Sequence, residues 1–144
     1  MEEPLVPSEP DAPRRAGPAF VPPPIDGALR SAISQAIVRI HAEHYGKGAT
    51  HAKTYVWDNL VVTVLRDVLT TAERTLVEVG RTDSVRDLRT TFQCAMEQTF
   101  RSAIERLTGR RVQSFLSQVD PANGLSVEVF VLEPVVGGAP DPAA

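Results

Sequence analysis

From Leu29 onward, apolar residues recur at three- and four-residue steps, Leu29, Ile33, Ala36, Ile37 and Ile40, with polar residues between them. That spacing puts the apolar side chains on one stripe of a helix. Asp26 stands where an N-cap belongs, and the pattern stops at Gly46. From Lys53 the rhythm changes to "KTYVWDNLVVTVLRDVL", rich in β-branched and aromatic residues. Asp58 and Asn59 are the turn-forming pair inside it, so the segment predicts a hairpin of two strands.

"TTAE" at Thr70 to Glu73 reads as a capping box, the Thr70 hydroxyl accepting from the Glu73 amide while the Glu73 carboxylate reaches back to the Thr70 amide. A short helix follows and ends at Gly80. Val85, Leu88, Phe92, Ala95, Met96, Phe100, Ala103, Ile104 and Leu107 then form one continuous helical stripe, started by Thr82 or Asp83 and stopped by Gly109. At about 1.5 Å per residue this helix approaches 40 Å, long enough to cross a whole sheet. Finally "RRVQSFLSQV" and "LSVEVFVLEP" flank "DPANG", a second hairpin that Pro134 ends.

The predicted order is α-ββ-αα-ββ. Grouped hairpins imply an α+β fold, a four-stranded antiparallel sheet packed with amphipathic helices. Leu60 to Leu65 and Leu125 to Leu132 are largely apolar on both strand faces, whereas a one-sided sheet would alternate with polar residues. Helices on both sides or another copy of the chain must cover the second face, and a homodimer is the expectation.

Composition changes the picture at the ends. Between Met1 and Pro24, 8 of 24 residues are proline and the apolar ones show no period, so residues 1–25 are expected to be a disordered tail. Residues 135–144, rich in Gly, Ala and Pro, are expected to be the same, leaving 26–134 as a single domain. From Ala28 to Pro134, 13 Lys or Arg stand against 12 Asp or Glu, a balance that argues against nucleic acid as a partner. The single cysteine, Cys94, fits a reducing compartment. No apolar run reaches the roughly 20 residues needed to span a bilayer. Together these point to the cytoplasm.

The chemistry turns on "HYGKGATHAKT", residues 44–54. A Walker loop ending at Lys53 would require glycine at Lys47 and Ala52, and would run from strand to helix, the reverse of this context. Gly46 and Gly48 are better read as a helix stop and a turn into the hairpin. His41 and His44 could share a helix face, with His51 or Asp58 as further metal ligands, but no fourth ligand has recognisable spacing. Partly exposed, unliganded histidines are the expectation, as is a small core role for Cys94. Glu73, Glu78, Glu97 and Glu105 fall at caps or on solvent sides, so neither catalytic residues, a cofactor nor a metal is expected. Lys53, Tyr55 and Trp57 share one strand face and are a candidate interaction surface.

"YGKGATHAKTYVWDNLVVTVLRDVLTTAERTLVEVGR" and "LTGRRVQSFLSQVDPANGLSVEVFVLEP" together resemble the MpsC-like family over about Leu29 to Pro134. The most specific pieces are Tyr45-Gly46-Lys47-Gly48, Lys53-Thr54-Tyr55, Leu69-Thr70 with Glu73, and Thr108-Gly109-Arg110-Arg111-Val112. Asn59 departs from the pattern, which usually has an acidic residue there. The resemblance implies a small soluble component that works with membrane proteins energising the cell through sodium translocation or inorganic carbon uptake. It implies no catalytic residues. The resulting expectation is a non-enzymatic cytoplasmic accessory protein, peripheral to the membrane through a membrane-protein partner. The rival is a regulatory module whose loop, with Gly46, Lys47, Gly48 and Lys53, senses a small anion such as bicarbonate or phosphate.

Overall fold

The computed structural model describes residues 21–135. Most of the residues expected to be disordered, 1–20 and 136–144, lie outside it. The chain runs α1 (Gly27–Tyr45), β1 (His51–Trp57), β2 (Leu60–Arg66), α2 (Thr71–Glu78), α3 (Thr82–Thr108), β3 (Val112–Asp120) and β4 (Leu125–Leu132). The strands form one sheet in the order β1-β2-β4-β3, every neighbouring pair antiparallel. The α+β class and the four-stranded antiparallel sheet expected from the pattern are both present.

The helix ends follow local chemistry. Asp26 Oδ1 accepts from the Leu29 amide at 2.9 Å, and Gly46 closes α1 at φ 78°, its amide donating to the Ala42 carbonyl. Both arms of the α2 capping box form: the Thr70 amide donates to Glu73 Oε1 at 2.9 Å and the Glu73 amide to the Thr70 hydroxyl at 3.2 Å. The start of α3 differs from expectation. Its cap is Arg81, which makes no side-chain capping bond, and Thr82 is already helical.

All the fully buried strand residues project to one side of the sheet. Val61 and Leu65 of β2, Phe130 and Leu132 of β4, and Val112 and Val119 of β3 meet Ile33, Ile37 and Ile40 of α1 and Met96, Phe100 and Ile104 of α3 there. Phe115 bridges Phe100 and Phe130, with ring centroids 5.3 and 5.1 Å apart, which ties the long helix to the outer strand pair. α1 and α3 therefore lie on one face of the sheet, and α2 packs against α3.

Two positions of the long stripe, Leu88 and Ala95, are exposed where burial was expected. Leu88 is 41% exposed and Arg89 is buried in its place. Cys94, expected in the core, is exposed. Strict 3.6-residue geometry over 27 residues rotates the buried stripe past them.

Candidate functional site

Both faces of the sheet carry apolar side chains, and the helix-covered one also holds a polar row. On the helix side, register places Thr54, Thr63, Glu128 and Ser117 in one polar row across all four strands. The Ser34 and Thr54 hydroxyls are 2.8 Å apart and those of Thr54 and Thr63 2.9 Å apart, so a hydrogen-bonded chain joins α1 to β2 beneath the helix layer. On the other side, the matching row is Tyr55, Val62, Val129 and Leu116, and the next is Trp57, Leu60, Val131 and Ser114. No described element packs over those rows. Tyr55 is 51% exposed, Trp57 78% and Leu116 58%. A greasy face thus meets solvent while a polar row is buried.

Of the residues marked in the sequence, Lys53, Tyr55 and Trp57 do gather on this open face, with the Lys53 ammonium 5.1 Å from the Tyr55 ring centroid. Gly46, Lys47 and Gly48 do not join them. They form the corner between α1 and β1, where Lys47 Nζ donates to Asp67 Oδ1 at 2.9 Å. That hydrogen bond, outweighing partial desolvation, holds the Asp67 carboxyl below its ordinary value, and Thr50 and Arg74 add to the effect. The lysine charge is therefore already matched. Gly48 lies against α1 so closely that a Cβ would stand 3.0 Å from Val38 Cγ1 and 3.3 Å from the Val38 carbonyl oxygen. At the β1–β2 end of the open face, Thr50, His51, Lys53, Tyr55, Val64 and Arg66 line a shallow cavity of about 500 Å³.

The buried charges are where the residue reading fell short. His41, expected to be partly exposed, is 2% exposed, and its Nε2 lies 3.0 Å from Glu128 Oε1. His44 turns away, its Nδ1 3.0 Å from the Ile40 carbonyl, so the two histidines share no site. Among the described residues no group of three or more His, Cys, Asp or Glu could hold a metal ion. Glu73, expected only to cap, is 1% exposed and accepts Arg89 Nε and a terminal guanidinium nitrogen, each at 2.6 Å. The Arg89 guanidinium also donates to the Val68 carbonyl and stacks 3.8 Å above the Tyr45 ring.

Burial alone would raise the Glu73 carboxyl, but the Arg89 bonds and the Thr70 amide outweigh it, and the group titrates below its usual range. Burial pushes the Tyr45 hydroxyl up to about 12, against the pull of Arg89. Sequence signals for these groups existed. His41 continues the Ile33–Ile37 stripe at a four-residue step, and Glu128 shares strand parity with Phe130 and Leu132. With all four partners under 3% exposed, the pairs are closed to substrate and act on the fold.

Asn59 accepts from the Arg110 guanidinium through Oδ1, and Arg110 also reaches the Glu133 carbonyl at 2.8 Å.

The chain is similar to Uncharacterized protein YbcI of Bacillus subtilis (strain 168), 27% identical over 109 residues, which cover 74% of this chain and 86% of the relative. No solved structure matches it. Among the described residues no helix is long and apolar enough to cross a membrane. The sequence profile described as "Na+-translocating membrane potential-generating system (MpsC)" matches residues 26–134, the helices and the sheet together, and the chain belongs to that family.

Proposed function

We propose that this chain is a non-enzymatic component of a sodium-translocating, membrane-potential-generating system, held at the cytoplasmic side and acting by protein–protein association. The observation that carries the reading is the apolar sheet face left open by a one-sided helix layer. Exposed Trp, Tyr and Leu on a rigid sheet are the residues from which interface cores are built. The titratable pairs of the interior are buried, so they offer no accessible acid, base or nucleophile. Membership of a family described by a sodium-translocating, membrane-potential-generating system supports placing the chain in such a system. In cells deprived of the chain, the sodium-dependent part of the membrane potential, read with a potential-sensitive dye, should fall and return with the wild-type copy, and a membrane protein should co-purify with the tagged chain. An unchanged sodium-dependent potential would overturn the reading.

A second reading has one observation in its favour. The cavity at the end of the open face brings Lys53 and Arg66 to one rim with His51, a cationic corner suited to a small anion such as bicarbonate or phosphate. Because Lys47 is paired with Asp67, the site would lie at this corner and not at the glycine loop. A thermal shift with either anion that disappears in Lys53→Met supports an anion sensor, and no shift removes it.

A further inference from the structure

We propose that a second copy of this chain covers the open sheet face, two four-stranded sheets meeting across a two-fold axis that runs along the strands. The inference rests on the exposed face alone and is independent of the sodium-system reading. Strands spaced about 4.8 Å apart and rising about 3.3 Å per residue make this face roughly 19 by 23 Å before side-chain relief is added. Two copies together would bury on the order of 1,000 Å², the threshold of a specific interface. At roughly 440 Å² per copy the face is of the size of the largest patches that monomers leave open, and such patches are often functional.

Self-complementarity selects the axis. Rotation about the strand direction lays β1 over β3 of the second copy and β2 over β4. Tyr55 then meets Leu116 of the second copy, joining two of the most exposed apolar side chains, and the valines of β2 and β4 face one another. At one end of the face, register aligns His51, Arg66, Leu125 and Asp120 in a single row. The same rotation sets Asp120 of one copy across from His51 and beside Lys53 of the other, twice over, as a closed dimer requires. An axis across the strands would instead press the Arg66 row onto the Trp57 and Leu60 row, desolvating cations with no carboxylate opposite. Aligned sheets about 10 Å apart and turned by about 30° are an ordinary sandwich, here with the helix layers outside. Those layers remain free for a membrane partner.

Sedimentation equilibrium of the full purified chain, from about 1 to about 100 µM, tests the proposal by mass action. The expected mass is twice 15.6 kDa at the upper concentrations. Leu116→Lys and Tyr55→Glu change side chains already exposed in the single chain, so both should keep the circular dichroism of the wild type and sediment as monomers. Asp120→Lys should weaken the dimer about tenfold, and adding Lys53→Asp should restore it. A monomer at every concentration overturns the proposal and leaves the face to a membrane protein or to the terminal residues. A dimer indifferent to Leu116→Lys and Tyr55→Glu overturns the face, and a double variant no tighter than Asp120→Lys alone overturns the axis.

Discussion

Arg89 and Glu73 form a buried pair in which each side chain satisfies the other's charge, and the carboxylate also closes the cap of α2. Removing one partner strands the other away from water, which costs more than losing the whole pair. Arg89→Met should therefore destabilise the fold by about 3–5 kcal/mol in chemical denaturation, and adding Glu73→Leu should recover part of that loss. The pair also sets an acid limit. Because the folded Glu73 carboxyl lies below its ordinary value near 4.5, its contribution is fully present above that pH and is lost as pH falls through the folded value. Urea midpoints measured from pH 6 down to pH 3 should drop more steeply below 4.5 for the wild type than for Arg89→Met with Glu73→Leu. At the glycine corner, Gly46→Val should lower the melting temperature more than Lys47→Ala, since a β-branched residue resists φ 78° while Lys47 makes only a surface ion pair. The opposite ranking, with activity lost in Lys47→Ala, would return the anion reading to the loop.

At the level of elements, stop and start signals carried most of the fold. The apolar stripe of α1, the capping box of α2, Gly109 after α3 and the two turn sequences each act within a few residues, so one-dimensional reading could find them. Thr70→Ala should cost about 1 kcal/mol by removing the hydroxyl that accepts from the Glu73 amide. A loss well beyond that, approaching the cost of Arg89→Met, would show that the cap also positions the buried carboxylate. What local pattern did not reveal was pairing at a distance. His41 and Glu128 are 87 residues apart, and Arg89 and Glu73 belong to different helices. A charged residue on an apolar stripe signals burial only once its partner is known. Leu88 and Arg89 differ by a 100° step around the helix, and only packing decides which of them turns inward.

For the whole molecule, the apolar character of both strand faces was legible, but the side on which the helices lie was not. α1 and α3 pack on the face that carries Thr54, Thr63 and Glu128, with α2 against α3, which leaves the valine, tyrosine and tryptophan face open. Apolar residues remain on the face away from the helices as well, so a second layer over the open face is what makes the arrangement consistent. If that layer is another copy, folding and association are one equilibrium, and stability depends on protein concentration. Each tenfold increase in concentration then adds about 1.4 kcal/mol per dimer, which for two bodies of this size raises the melting temperature by roughly 2–5 °C. Leu116→Lys should melt lower than the wild type and at a temperature independent of concentration, because it opposes association without touching the core. Melting curves at about 2, 20 and 200 µM separate the cases by mass action: a wild-type midpoint that stays fixed across them would mean that the open face contributes nothing to the stability of the isolated protein.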